Sequence, residues 1–298
     1  MSLTARLLAT LALGLLAGCA GLLNAAVRTS DLAITRDVAY APGNRRTLDI
    51  YRPHDAALLP VVVFLYGGSW RMGDKGMYPF VAAPLARRGA VVVVPDYRVY
   101  PEVQFPAFLQ DNAKAVAWAV SHAASIGGDP RRVFIVSHSA GAYNAAMLAL
   151  DPHWLAAEGV GRGGLAGVAG LAGPYDFLPI TDPDIIPVFA PVGDGPASQP
   201  INYVDGRNPP MLLLAGDADT TVKPRNTVAL AAKIRSAGGS VSEKLYPGIG
   251  HIGIIVAFSS LFRGKAPVLD DVWAFISSRP HKLASEGGSA LQPGDYTN

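Results

Sequence analysis

Short runs of apolar residues recur along the chain and are separated by segments of helical periodicity. Residues 47–52 alternate between apolar and polar positions, which is typical of a partly exposed strand. Further strands are predicted at 61–66, 90–94, 133–136, 165–171, 211–215 and 241–246, with a turn at 129–130. Helices are predicted at 79–88, 105–126, 140–150, 224–237 and 268–277. Because strands alternate with helices, we expect an α/β fold with a mostly parallel central sheet and helices on both faces.

The beginning of the chain departs from this pattern. Residues 1–18 hold one charge, Arg6, followed by an apolar run at 7–16 that has the length of a signal-peptide core and is too short for a membrane span. The run ends in Leu16-Ala17-Gly18-Cys19, and Cys19 is the only cysteine of the chain. This ending resembles a bacterial lipobox, which predicts cleavage before Cys19 and a lipid on its sulfur. The alternative is an ordinary secretory signal with an incidental cysteine.

These boundaries define the expected organisation of the chain. We expect a signal peptide at 1–18, a tether at 19–36, one large domain at 37–279 and a polar, disordered tail at 280–298. The segment 175–208 is rich in proline and glycine and follows a predicted strand end, where ligands bind in open α/β sheets. It is expected to be either a small lid-like or pocket-forming insert or an inert surface loop.

Composition limits the classes of partner. The chain has 298 residues, half of them hydrophobic, which suits one large α/β domain. Its formal net charge is +2 and its basic residues are scattered, so nucleic-acid binding is not expected. The lone cysteine excludes a disulfide within the chain. The lipobox predicts a lipid-anchored protein of the bacterial cell envelope, with the periplasmic face of the outer membrane as one location and a secreted or periplasmic protein as the alternative.

A candidate nucleophile lies where the strand at 133–136 turns into the following helix. The sequence there is Ser137-His138-Ser139-Ala140-Gly141, close to the G-x-S-x-G pattern of a nucleophile elbow, in which a tight turn exposes the serine hydroxyl. Ser137 stands at the first glycine position, and its small side chain still permits close packing of strand and helix. His138 adjoins the nucleophile, but the turn is expected to aim it away.

A serine hydroxyl needs a neighbouring base, and the base needs an orienting carboxylate. His251 follows a predicted strand and lies after Gly248 and Gly250, which let the loop carry the imidazole to the serine. Asp219 lies beyond the end of the strand at 211–215 and is preferred as the carboxylate. Asp217, two residues earlier, is expected to stabilise the turn. The order serine, acid, histidine is the one that accompanies such an elbow.

Donors for a developing oxyanion are predicted in the loop after the strand at 61–66. Gly67 and Gly68 lack Cβ atoms, so a substrate carbonyl can approach their backbone N–H groups. The N–H of Ala140, directly after the nucleophile, is expected to complete the oxyanion hole.

These motifs carry a resemblance to a known family. From about residue 38 to residue 276 the chain resembles the esterase/lipase branch of the α/β-hydrolases. Within that branch it is similar to bacterial carboxylesterases related to feruloyl-esterase-like domains, hormone-sensitive-lipase-like esterases and kynurenine formamidases. The carriers are Tyr66-Gly67-Gly68-Ser69-Trp70 (family pattern H-G-G-x-W), Asp96-Tyr97-Arg98, Pro101-Glu102 with Phe105-Pro106, Ser137-His138-Ser139-Ala140-Gly141, Gly216-Asp217-Ala218-Asp219 with Val222, and Gly250-His251.

The chain departs from the family pattern at two positions. Tyr66 replaces the usual histidine, which is expected to change how the oxyanion loop is braced, and Ser137 replaces the first glycine of the elbow. Neither change removes a catalytic atom. The resemblance also implies an ion pair between Arg98 and Asp111 with a structural role.

The sequence therefore predicts a serine hydrolase that cleaves short-chain or aryl carboxylic esters through an acyl-enzyme, with Ser139, His251 and Asp219 as its triad. One alternative is an amidase or arylformamidase that uses the same residues. Another is a non-catalytic, hydrolase-like envelope protein, which the complete triad disfavours. No metal or organic cofactor is required. The expected partners are a small-molecule ester and, through Cys19, a membrane; the oligomeric state and the physiological substrate stay open.

Overall fold

The computed structural model describes residues 20–278, and in that part of the chain eight strands form one sheet. The strands are β1 (Leu32–Ala39), β2 (Thr47–Pro53), β3 (Leu59–Leu65), β4 (Val91–Pro95), β5 (Gly128–His138), β6 (Gly167–Leu171), β7 (Met211–Gly216) and β8 (Val241–Tyr246). Their order across the sheet is β1-β2-β4-β3-β5-β6-β7-β8. β2 pairs antiparallel with both β1 and β4, and the remaining neighbours pair in parallel.

Helices cover both faces of this sheet. They are α1 (residues 20–25), α2 (Pro79–Arg87), α3 (Ala107–His122), α4 (Ala140–Leu150), α5 (His153–Ala156), α6 (Arg225–Ser236), α7 (His251–Val256) and α8 (Val268–Ser277). Successive side chains of a strand point to opposite faces, and β3 shows the result. Val62 and Phe64 join a core cluster that includes α2 and α8, whereas Val61 and Val63 join one that includes α6. The predicted fold class is confirmed.

Every strand and helix predicted from the sequence is present in the described chain, although several ends differ. Residues 129–130, predicted to be a turn, lie inside β5, because the strand begins at Gly128, which pairs with Leu59 of β3. That prediction was wrong. β1 was not predicted from the sequence.

The start of the described chain is packed against the domain. Asn24 Nδ2 donates to the carbonyl oxygens of Gly76 and Met77, and Asn24 Oδ1 accepts the N–H of Phe80 at 3.1 Å. Leu23 is 3% exposed and β1 pairs with β2 from Leu32 onward. The prediction of a tether is therefore wrong for residues 20–36, because α1 and β1 make tertiary contacts that a free linker would lack.

The predicted signal peptide at 1–18, Cys19 and the tail at 280–298 lie outside the described residues. Within residues 20–278, none of the helices combines the length and the apolar character that a membrane crossing requires.

The ion pair implied for Arg98 and Asp111 is confirmed. Arg98 Nε donates to Asp111 Oδ2 at 2.7 Å, and Arg98 Nη2 donates to Oδ1 at 3.0 Å. Arg46 Nε donates to the same Oδ1 at 3.1 Å. The Asp111 carboxylate on α3 is fully buried, and two guanidinium groups compensate its charge. The pair fixes the segment after β4 to α3.

Candidate active site

The nucleophile candidate occupies the single residue between a strand and a helix. β5 ends at His138 and α4 begins at Ala140, so Ser139 forms the turn, with φ 56° and ψ −124°. A non-glycine residue with such angles is strained and needs support from its surroundings. The Ser139 N–H donates to Leu171 O at 2.9 Å. At Gly141, a Cβ atom would lie 2.1 Å from Leu65 O, so glycine is required there.

The unusual Ser137 is accommodated within the sheet. It is fully buried, and its Oγ donates to Ala169 O on the neighbouring strand β6 at 3.1 Å. The added hydroxyl therefore has an acceptor, and the departure from the glycine of the family pattern leaves no buried polar atom unpaired at this position.

The structure brings Ser139, His251 and Asp219 into one hydrogen-bonded chain. His251 Nε2 lies 2.9 Å from Ser139 Oγ, and His251 Nδ1 lies 2.8 Å from Asp219 Oδ2. Because an ionised carboxylate only accepts, Nδ1 carries the proton and Nε2 is free to accept from the serine hydroxyl. The His251 side chain is 10% exposed and the Asp219 side chain is fully buried.

The loop after β7 holds both carboxylates in distinct positions. Asp219 Oδ1 accepts the N–H groups of Thr221 at 2.9 Å and Val222 at 2.8 Å, which leaves Oδ2 for the histidine. Asp217 Oδ1 accepts the Gly248 N–H at 2.7 Å and so ties this loop to the loop that carries His251. The sequence predicted that Asp217 stabilises its own turn, whereas this contact links two separate loops.

His138 belongs to the site, although it was not among the predicted site residues. Its Nε2 donates to the carbonyl oxygen of His251 at 3.0 Å, and the two imidazole centroids are 4.8 Å apart. Burial, with a smaller contribution from His251, lowers the pKa of His138 to about 3, so the ring is neutral near pH 7. The turn was expected to aim this side chain away from the nucleophile; its contact is with the base, His251, which was not predicted. Nothing local in the sequence indicates the contact, because its partner is 113 residues away.

The glycine-rich loop after β3 lies directly against the nucleophile. A Cβ atom on Gly67 would lie 2.7 Å from Ser139 Cβ and 3.0 Å from His138 O. Gly68 has φ 131°, and a Cβ there would meet Met72 O at 2.3 Å. Ala140 is the first residue of α4, where a backbone N–H has no acceptor within the helix. Of the three predicted oxyanion donors, Gly67 therefore borders Ser139 directly, Gly68 is the residue after Gly67, and Ala140 is the residue after Ser139.

A cavity of about 280 Å³ opens beside Ser139 and receives much of its wall from residues 175–208. Phe177, Ile180 and Ile185 of this insert line it together with Trp70 and Val222, and Thr181 and Asp182 add polar groups. Phe189 of the same insert is buried and packs edge-on against Trp70 at a centroid distance of 4.9 Å. The insert therefore forms part of a pocket and is not an inert surface loop.

Among residues 20–278, the acidic, histidine and cysteine side chains form no group of three or more suited to a metal ion.

Comparisons with known proteins agree with this fold. The BD-FAE family model matches residues 48–182, and the Prolyl oligopeptidase family model matches residues 190–277. The chain is 27% identical over 267 residues to the probable isoprenylcysteine alpha-carbonyl methylesterase ICMEL1 of Oryza sativa subsp. japonica, covering 80% of this chain and 61% of that protein. It is 30% identical over 229 residues to esterase LipQ of Mycobacterium tuberculosis, covering 70% of this chain and 54% of that protein. The chain thus spans about three fifths or less of these curated relatives.

A solved structure extends the likeness to the whole fold. Esterase B of Lactobacillus rhamnosis matches with a TM-score of 0.74 at 20% identity, over 92% of this chain and 95% of that chain. The parallel sheet, with a serine at a strand-to-helix turn, defines an α/β-hydrolase. Within that superfamily, the chain is similar to proteins named as esterases.

Proposed function

We propose that this protein is a serine hydrolase that cleaves carboxylic esters through an acyl-enzyme intermediate. One observation carries the proposal: Asp219, His251 and Ser139 form a continuous hydrogen-bonded chain with separations of 2.8 and 2.9 Å. A triad of this kind turns a weakly nucleophilic hydroxyl into an attacking group. The esterase relatives support the same chemistry.

In the first half of the reaction, Ser139 Oγ attacks the ester carbonyl carbon while its proton passes to His251 Nε2. Asp219 stabilises the imidazolium that forms. The carbonyl π electrons move to oxygen, and the N–H groups of Gly67, Gly68 and Ala140 are the proposed donors to this oxyanion. As the tetrahedral intermediate collapses, the bond to the alcohol oxygen breaks, and the alcohol leaves with the proton from His251.

The second half repeats this sequence with water. His251 takes a proton from a water molecule, whose oxygen attacks the acyl carbon and forms a second tetrahedral intermediate. Collapse of that intermediate breaks the bond to Ser139 Oγ, which recovers its proton from His251. The carboxylic acid is released, and the triad returns to its starting state.

The size of the cavity favours a substrate whose acyl or leaving group is small or flat. Its volume of about 280 Å³ lies at the lower end of ligand pockets, and much of its wall is apolar. Short-chain and aryl esters fit this description better than long-chain triglycerides. An amidase or arylformamidase activity uses the same residues and remains the alternative function.

Replacing Ser139 with alanine tests the proposal. We expect the Ser139→Ala variant to lose hydrolysis of p-nitrophenyl acetate and labelling by a fluorophosphonate probe, with unchanged thermal unfolding. Retained turnover or labelling would contradict the assignment.

Wild-type rates on a graded series of p-nitrophenyl esters and on N-formylkynurenine then separate esterase from formamidase. Faster turnover of the formamide would favour the alternative.

We also propose that the protein is held at a membrane of the cell envelope by a lipid on Cys19. The lipobox-like ending at residues 16–19 supports this location. Expression in a bacterial host, followed by membrane fractionation, tests it: the wild type is expected in the membrane fraction and the Cys19→Ser variant in the soluble fraction. A variant that stays with the membranes would count against lipidation.

A further inference from the structure

The loop that supplies the proposed oxyanion donors is held at both ends by the same pair of side chains. We call residues 66–75 the oxyanion loop. Asp96, directly after β4, accepts at its Oδ1 the Tyr66 hydroxyl at 2.8 Å and the Lys75 N–H at 2.7 Å. Arg45, between β1 and β2, donates through Nη2 to the Tyr66 hydroxyl oxygen at 3.2 Å and to Gly73 O. Each of the two therefore bridges the beginning and the end of the loop.

The loop needs such support because its backbone is strained. Gly68, Ser69 and Trp70 have consecutive positive φ angles of 131°, 54° and 56°. Two of these residues carry side chains, for which this region is unfavourable, and such strain persists only where the surroundings impose it. Trp70 is fixed to α4 by a hydrogen bond from its Nε1 to Asn144 Oδ1 at 2.9 Å. That contact holds the middle of the loop, and the ends depend on other groups.

Tyr66 is well placed to transmit this support, because it immediately precedes Gly67. Its buried ring stacks between Tyr78 and Tyr97, with centroid distances of 5.3 and 4.8 Å. Its backbone carbonyl accepts the Tyr97 hydroxyl at 2.8 Å. Burial raises the pKa of Tyr66 well above its ordinary value, so the hydroxyl keeps its proton and donates to Asp96.

We propose that Tyr66, Arg45 and Asp96 form a clamp that positions the oxyanion donors of Gly67 and Gly68. The three are positioning residues: Tyr66 begins the loop, Arg45 and Asp96 contact both of its ends, and all three act through its backbone. The proposal rests on the esterase function above. It also explains the departure at Tyr66, because the phenol reaches the carboxylate and the guanidinium at once.

The clamp is expected to act on the transition state more than on substrate binding. Oxyanion donors strengthen their interaction as negative charge develops, so their displacement lowers kcat and leaves KM nearly unchanged. Loss of an entire donor typically costs about 10²–10³ in rate, and a displaced donor costs less. For loss of the Tyr66 hydroxyl we expect a fall in kcat of about tenfold.

The chain offers a matched control for this test. Tyr78 stacks on Tyr66, is equally buried, and its hydroxyl has no hydrogen-bond partner within residues 20–278. Tyr66→Phe and Tyr78→Phe therefore each remove one buried hydroxyl from the same aromatic stack, but only the first opens the clamp. Arg45→Met, in a half-buried turn, gives a second way to open it if Tyr66→Phe folds poorly.

Kinetics of the full-length variants give the first readout, after the Ser139→Ala variant has been shown to lose activity. Tyr66→Phe and Arg45→Met should lower kcat about tenfold with KM nearly constant, and should weaken an alkylboronic acid inhibitor, which mimics the tetrahedral state, by a similar factor. Tyr78→Phe should resemble the wild type. Equal kcat values for Tyr66→Phe and Tyr78→Phe, or a change confined to KM, would overturn the proposal.

Amide hydrogen exchange gives a second readout that needs no substrate. The amides of residues 67–73 should exchange faster in Tyr66→Phe than in Tyr78→Phe, while those of β5 keep the same rates in both. Identical exchange in the loop would overturn the clamp even if the esterase proposal held. Faster exchange in a protein without esterase activity would support the clamp and refute only the function.

Discussion

The nucleophile and the base of this site are held in place by different means. Ser139 sits between β5 and α4, and contacts within a single sheet and its adjoining helix impose its strained backbone. His251 begins α7, and hydrogen bonds from distant residues place it: the contact of His138 with its carbonyl oxygen, and the Asp217 contact with the preceding loop. The position of the nucleophile therefore depends on close packing around the turn, whereas the position of the base depends on individual hydrogen bonds.

The largest expected effect tests the steric half of this comparison. A Cβ on Gly141 would lie 2.1 Å from Leu65 O and 2.5 Å from Tyr66 O, whereas a Cβ on Gly250, next to His251, would find its nearest neighbour 3.8 Å away. We expect Gly141→Ala to destabilise the protein by more than about 3 kcal/mol or to prevent folding. Gly250→Ala should remain stable and active. Urea unfolding measures both, and equal stability would contradict the distinction.

The next effect concerns the carboxylate partner of the base. Asp219→Asn is expected to lower kcat by about 10³–10⁴, because an amide can no longer fix the proton on Nδ1 or stabilise the imidazolium. Asp217→Asn is the matched control, since the amide oxygen can still accept the Gly248 N–H. Steady-state kinetics at neutral pH separate the two. A comparable loss in both variants would mean that the loop, rather than the Asp219 charge, sets the rate.

A smaller effect is expected from the hydrogen bond of His138. His138→Leu removes the N–H that holds the His251 carbonyl, and we expect kcat to fall about tenfold through a misplaced base. His138→Gln can present an N–H at a similar position and should recover most of the rate. If the two variants lose activity equally, the contact does not position the base.

The same residue predicts a pH dependence of stability. The pKa of His138 is about 3 in the folded protein and close to 6.5 in the unfolded chain. Between these values the unfolded state binds the extra proton, so stability falls as the pH is lowered from 6.5 towards 3, by up to about 1.4 kcal/mol per pH unit from this group. Urea unfolding from pH 4 to 7 should show a shallower decline for His138→Gln. Parallel curves would contradict the buried neutral imidazole.

The smallest effect is expected at Ser137, two residues before the nucleophile. Ser137→Gly restores the family residue but removes the hydrogen bond to Ala169 O, so we expect about 1 kcal/mol of destabilisation and unchanged kcat. Thermal unfolding and kinetics check this. A large change in kcat would show that Ser137 affects the position of Ser139, which its contact with β6 does not suggest.

The sequence predicted those features that depend on local pattern. Apolar runs marked the strands of the parallel sheet, and the turn at Ser139 with its following glycine marked the elbow. The choice of Asp219 over Asp217 agrees with the observed contacts because distance beyond the strand end is itself a local quantity.

Features that depend on distant partners were missed. His138 meets His251 across 113 residues, and Arg45 reaches Tyr66 from a polar turn that resembles any exposed hairpin. The packing of residues 20–36 was missed for the same reason: one asparagine, Asn24, bonds to groups more than 50 residues away. No periodicity or motif encodes these contacts.

The docking of α1 has a consequence for how an anchored enzyme would meet its substrate. Ala20 and Leu23 share a small apolar cavity with Ile252 and Ile255, which follow His251 on α7. If Cys19 carries a lipid as proposed, the attachment point would lie one residue before α1, which packs beside α7, the helix that begins with His251. The active site of such an enzyme would stay close to the bilayer and would not reach far into the surrounding solution. We would then expect the enzyme to act on esters at or near the membrane surface.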